Sequence, residues 1–368
     1  DQPIMLIGHG GNIHALAARL GCPADAICDM SSNVNPFGPP EGLMDHLRGE
    51  FHRITSLPEA DAGAMTRACA ARHGLDPRTV LAGNGSTQLI YLLPAVLSLR
   101  SVSIAGPTYC DYADACRLQG IAPVLVTARR EDGFRPSLDA LSAAAETSDA
   151  LFICNPNNPT GVLLDREHLV ALCAAHPDTD IVVDESYLHF VPGSDGHSLL
   201  GCGLDNLLVL NSMSKIFRLP GLRIGFVHGT EAKIDRLQQQ MLPWSVNALA
   251  QAAVIYLMTQ REEIERFVAG SCRQLNTARR AFHQATAGIH GLEVFPSCTS
   301  FILMRLTGGW TAAEVWEALA EAQVLIRDCS NFEGLDERYI RISLKEEERN
   351  QRAAELLTRL LAVDGGRP

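Results

Sequence analysis

No apolar run in these 368 residues reaches the length needed to cross a bilayer, and no signal peptide opens the chain. Membrane insertion and export are thereby not expected; a cytoplasmic protein is. The first residue is aspartate, so the native start is expected to lie upstream. Positive charge is short as well: 31 lysines and arginines face 42 aspartates and glutamates, a formal net charge of -11 with a pI ≈ 5.5. That balance disfavours nucleic acid and anionic membrane as partners, and any anionic substrate must be gripped by local arginines. Cysteine occurs 11 times, but never as a CxxC pair or with a histidine partner at zinc spacing. Such scatter argues for reduced cytosolic thiols and against a disulfide scaffold or a metal site. The close pairs Cys22 with Cys28 and Cys110 with Cys116 read as packing residues.

What is present is the composition of a soluble globular chain, 46% hydrophobic and 20% charged, long enough for two domains. Its centre is residues 207–228, LLVLNSMSKIFRLPGLRIGFVH, where two apolar runs bracket a polar segment. LLVL and IGFV read as buried strands, which puts Lys215 at a strand end and not on a solvated helix face. Partial burial beside a cation, Arg218 or Arg223, lowers a lysine's pKa and yields a neutral amine able to attack a carbonyl. Ser212, Ser214 and Arg223 near that lysine suit a phosphate. A phosphorylated aldehyde bound through its carbonyl satisfies every group, whereas a solvated basic loop is the competing reading.

Elsewhere, GHGGNIHALAARLG reads as a flexible glycine-rich arm, with His9 to Asn12 offering hydrogen-bonding groups, followed by a helix that stops at Gly21. MSSNVNPFGPP reads as an irregular loop, and helices follow at about 40–51 and 60–73. In LAGNGSTQLIYLLPAVL a turn over Gly83 to Gly85 opens a helix at Ser86 or Thr87, placing free N–H groups and a hydroxyl at a positive helix end: a phosphate cup in outline, or an ordinary helix cap. Apolar runs then end in GPTYCDY, NPNNPTG, DESY and SMSK, with helices between several of them. This predicts an α/β fold with a largely parallel sheet covered on both faces, and all four clusters meeting at one crevice beyond the strand ends. Asp184 needs a cationic partner there, such as a protonated pyridine nitrogen; Tyr109 offers a face for a flat ring; Asn158 offers an amide. From about residue 260 the pattern changes to a smaller α+β domain ending in an amphipathic helix. In it Arg327 and Arg341 sit in apolar strand contexts, facing either a ligand anion or a structural acid.

With GNGST, NPNNPTG, DESY, and SMSK followed by Arg223 in this order and spacing, the chain resembles the fold-type I pyridoxal-phosphate enzymes. The branch is the one holding histidinol-phosphate aminotransferase and threonine-phosphate decarboxylase, and HGGN, QQMLPWSVNALA and LIRDCSNFEGLDERYIRIS look most like the decarboxylase side. The resemblance implies a large, mixed, mostly parallel sheet domain over 40–260, an N-terminal arm over 1–39 and a smaller domain over 261–368. It implies pyridoxal 5'-phosphate as cofactor, joined to Lys215, with Asp184 at the pyridinium nitrogen and Tyr109 on the ring. Asn158 and Tyr187 are implied at the ring hydroxyl, and Gly85, Ser86, Thr87, Ser212, Ser214 and Arg223 at the cofactor phosphate. Arg327, Arg341 and Asn158 are implied as substrate ligands, with His9 and Asn33 closing over a phosphorylated amino acid. The implied reaction is decarboxylation of threonine phosphate or serine phosphate for cobalamin synthesis, the alternative being an aminotransferase acting on histidinol phosphate or an aromatic amino acid. A homodimer with shared active sites is implied too. Two departures stand out: Leu57 lies where the family has a tyrosine donated across the dimer, and Tyr187 follows the aminotransferase pattern.

Overall fold

The structure, a computed structural model, describes residues 10–362, so His9 lies outside the described residues. Its main sheet runs in the order Val80–Asn84, Ile224–His228, Leu207–Ser212, Asp180–Asp184, Ala150–Cys154, Val102–Gly106, Val124–Thr127. Ile224–His228 is antiparallel to both neighbours, and the remaining pairings are parallel. Alternation along the central strands shows why they read as unbroken apolar runs. Leu151, Ile153, Ile181, Val183 and Val209 enter one core with the helices Leu138–Glu146 and Arg166–Ala175. Phe152, Val182, Leu208 and Leu210 enter the opposite core with Gly85–Val96 and Asp111–Leu118. Each strand is therefore apolar on both faces, and its polar residues are confined to its ends.

A second sheet, in the order Arg327–Asp328, Tyr339–Ser343, Phe301–Leu306, Leu292–Val294, is antiparallel throughout. The helix Arg261–Thr286 packs against the last helix, Glu347–Leu361. The first of these buries Ile264, Cys272, Leu275 and Phe282 on one face, with Ser271 and Thr286 buried beside them. The fold class matches the α/β expectation with its smaller α+β companion.

The N-terminal stretch joins this second unit. Asn12 caps the helix Ile13–Leu20 by accepting from Ala15 N at 3.2 Å, and Gly21, at φ 65°, ends it in the left-handed conformation that glycine tolerates best. Leu16 and Ala17 pack on Ile27, Ala320 and Leu325, and Cys28–Asp29 pairs in parallel with Val324–Leu325. Gly11 N donates to Ser31 Oγ at 2.7 Å, which ties down residues that read from the sequence as a flexible arm.

Candidate active site

Parallel strands bring their polar ends to one edge, and the loops there enclose a cavity of about 490 Å³. Asn33, Thr87, Tyr109, Asn158, Tyr187, Lys215, Arg223, Arg327 and Arg341 line it. The other residues singled out from the sequence, Gly85, Ser86, Asp184, Ser212 and Ser214, are outside its wall, with Asp184, Ser212 and Ser214 buried.

Lys215 is partly buried just beyond the strand Leu207–Ser212. Burial, then Arg223 and Arg341, lower its pKa to about 8, against the opposing pull of Asp184 and Asp111. The second cation is thus Arg341, where the sequence had suggested Arg218; Arg218 instead donates to Pro36 O at 2.6 Å. Asp184 ends its strand with Oδ1 accepting from Ser186 N at 2.9 Å and Oδ2 accepting from Tyr112 Oη at 2.8 Å. Burial raises its pKa, and those donors pull it back.

The helix Gly85–Val96 starts with no side-chain cap, which leaves its first N–H groups for another acceptor. Gly85 sits at φ 78°, and a Cβ there would lie 2.5 Å from Arg223 Nη2; a Cβ on Gly225 would lie 2.6 Å from Ser86 N. Two glycines therefore let a guanidinium and a helix start close into a cup for an anion. Ser214 Oγ donates to Ile224 O at 3.3 Å, and so braces the turn behind that cup.

Arg341 is buried on the second sheet. It donates through Nη1 to Asn158 Oδ1 and through Nη2 to Ser31 O at 2.7 Å, while its buried Nε finds no partner among the described residues. Arg327 donates to Asn331 Oδ1 at 2.6 Å and lies over the Phe332 ring. Neither arginine has an ion pair with a carboxylate among the described residues, which favours a ligand anion over the structural acid.

Residues 30–36 stitch the two units together. Ser343 Oγ donates to Asn33 Oδ1 at 2.6 Å, Asn33 Nδ2 to Tyr187 Oη at 3.3 Å, and Asn35 Nδ2 to Ile216 O at 2.8 Å. Asn35, Tyr112 and Lys345 were not singled out as site residues in the sequence. Asn35 stood in a loop notable only for its turn residues, Tyr112 drew no reading within GPTYCDY, and Lys345 opened the charged start of the last helix. For Lys345 the available signal was period two, since Arg341, Ser343 and Lys345 alternate with buried Ile342 and Leu344.

An anion cup, a depressed lysine, a buried carboxylate and a guanidinium with no acid partner among the described residues fit a flat phosphorylated aldehyde with a ring nitrogen, the chemistry of pyridoxal phosphate.

Residues 25–357 match the family model of aminotransferase class I and II. Threonine-phosphate decarboxylase of Salmonella typhimurium is 31% identical over 356 residues, covering 96% of both chains. Histidinol-phosphate aminotransferase of Methanothermobacter thermautotrophicus is 30% identical over 360 residues, covering 96% of this chain and 94% of its own. The solved L-threonine-O-3-phosphate decarboxylase of Porphyromonas gingivalis is 32% identical with a TM-score of 0.79, over 90% of this chain and 99% of that one. A family match across nearly the full length, on a fold with this strand order, leaves one assignment: the chain belongs to the class I and II aminotransferase family.

Proposed function

We propose that this chain is a pyridoxal-phosphate-dependent decarboxylase that converts L-threonine O-3-phosphate, or a close phospho-amino acid such as serine phosphate, to an aminoalkyl phosphate for cobalamin biosynthesis. The observation that carries the substrate choice is the charge of the cavity. Lys215, Arg218, Arg223, Arg327, Arg341, Lys345 and Arg349 line it against only Asp29 and Glu346, and Asp29 already accepts from the Ser31 and Ser32 hydroxyls at 2.6 Å each. A cofactor phosphate draws on Arg223, and a substrate with both a carboxylate and a phosphate draws on the remaining cations.

Lys215 would hold the cofactor aldehyde, Asp184 its ring nitrogen, Tyr109 its ring face, and Asn158 with Tyr187 its hydroxyl. The start of the helix Gly85–Val96, with Ser86, Thr87, Ser212, Ser214 and Arg223, would hold its phosphate. Bound there, the cofactor supplies an electron sink for the pair left at the substrate α-carbon. Arg341 and Arg327 grip the substrate anions and so decide which α-carbon bond is aligned to break. Asn33 would close over the substrate, and His9, outside the described residues, is proposed for the same role. The Lys215 amine, in the same wall, would return a proton to the α-carbon.

The reading includes a cofactor domain over residues 40–260, a small domain over 261–368 supplying the two arginines, and a homodimer with shared sites in the cytoplasm. Eleven free cysteines, seven of them buried, suit a reducing compartment.

The test is product analysis with threonine phosphate and cofactor but no keto acid. Carbon dioxide together with aminopropanol phosphate is the expected result. An aminotransferase acting on histidinol phosphate would instead release no carbon dioxide, and its turnover would depend on an added keto acid such as 2-oxoglutarate.

A further inference from the structure

Tyr112 stands three residues after Tyr109, in the helix Asp111–Leu118, and none of the chemistry above uses it. Its side chain is buried, yet its hydroxyl crosses to the end of the strand Asp180–Asp184 and donates to Asp184 Oδ2 at 2.8 Å. Its ring packs edge-on against Tyr109, with centroids 5.7 Å apart at 84°, and lies 5.9 Å from Phe152 on the neighbouring strand. One side chain therefore touches both the carboxylate and the aromatic face between which a pyridine ring would lie.

We infer that Tyr112 is a positioning residue that holds Asp184 as a carboxylate aimed at the cofactor's ring nitrogen, and that it does so through its hydroxyl. An ionised carboxylate only accepts hydrogen bonds, whereas a carboxylic acid must also donate one. Ser186 N donates to Oδ1 and Tyr112 Oη to Oδ2, so a proton on Oδ1 would confront an N–H, and a proton on Oδ2 would require the phenol hydrogen to turn away. Burial acts in the opposite direction, favouring the neutral acid. Lys215 also favours the ionised form, while Glu185, Cys154 and Tyr187 are the other titratable groups coupled to Asp184. Burial keeps the Tyr112 phenol protonated, and thus a donor, throughout the working range of pH.

The inference rests on the cofactor part of the reading above and not on the choice of substrate, so its test uses no substrate. Three variants are compared with wild type: Tyr112→Phe, Asp184→Asn and the double variant. The readouts are affinity for pyridoxal phosphate and the nitrogen NMR signal of cofactor labelled in its ring. Wild type that fails to bind the cofactor would overturn the reading of the site itself. Given binding, Tyr112→Phe is expected to weaken it by roughly tenfold, the scale of a hydrogen bond to a charged group, and to move the ring signal toward unprotonated nitrogen. In the Asp184→Asn background the same change should cost little, because the hydroxyl acts through the carboxylate. An undiminished loss in that background, or an unmoved ring signal, overturns the inference. Should Tyr112→Phe fail to fold, a fluorinated tyrosine at this position keeps the shape and strengthens the donor. It must then move the ring signal further toward protonated nitrogen, and an unchanged signal again overturns the inference.

Discussion

Lys215 can act as a nucleophile because its surroundings disfavour its charge. Its pKa falls from 10.5 to about 8 through burial first, then Arg223 and Arg341. A depressed lysine burdens the cofactor-free fold below about pH 8, and that burden lifts as pH rises from 8 toward 10.5, where the unfolded chain still binds the proton. The rate at which cofactor-free protein captures pyridoxal phosphate, followed by stopped-flow absorbance, should therefore rise with a midpoint near pH 8. A midpoint near 10.5 would mean an unperturbed lysine. Glu185 shows the opposite sign. Alternation turns it away from Asp184 to accept from Ser198 Oγ and Leu199 N at 2.7 Å each, and burial pushes its pKa up from 4.5 to about 7. Its protonated form is favoured in the fold, so this residue lowers stability as pH climbs from 4.5 to about 7. Glu185→Gln should flatten that slope in thermal melts of the cofactor-free protein, recovering on the order of 3 kcal/mol at most at neutral pH. A slope equal to wild type would place the titration elsewhere.

At the level of elements, the polar ends of apolar strands were legible because a parallel sheet buried on both faces leaves no other place for such residues. Asp184 and Lys215 announced themselves in this way. Tyr112 and Asn35 did not, since their partners lie 72 and 181 residues away in sequence and neither breaks a local pattern. The second sheet was legible as α+β by its alternation, but the docking of the N-terminal helix onto Ala320 and Leu325 was not: an eight-residue amphipathic helix does not say which surface it covers. The helix Gly85–Val96 offers a direct probe of how an element end builds a site. Gly85→Ala would force a Cβ into the Arg223 guanidinium and hold alanine at φ 78°, at a conformational cost of about 1 kcal/mol. Cofactor affinity should fall roughly tenfold as the cup opens, with only a small loss in melting temperature. Unchanged affinity in an equilibrium titration would show that the phosphate is not held there.

Over the whole molecule the chain carries a formal net charge of -11, yet several of its large apolar side chains lie exposed. Phe51 is 58% exposed, Ile54 56%, Leu57 75%, Leu242 72% and Trp244 50%. They come from two segments held side by side, with Trp244 N donating to Ala60 O at 2.9 Å and Gln251 Nε2 donating to Glu59 O at 3.0 Å. Large apolar side chains exposed on adjoining segments are costly to leave in water, and a second copy of the chain is the partner that the proposed homodimer supplies. Leu57, the most exposed of the five, would give that proposed interface apolar area. Leu57→Arg would put a charge into that contact, and repeated about a two-fold axis it would place like charges near one another. Sedimentation should give wild type at twice the 39.9 kDa chain mass and the variant shifted toward the single chain. If the sites are shared, the variant's activity per chain should also fall on dilution while its melting temperature, measured at high concentration, holds. A wild type that sediments as a single chain, or a variant that remains fully paired, would remove this surface from the interface.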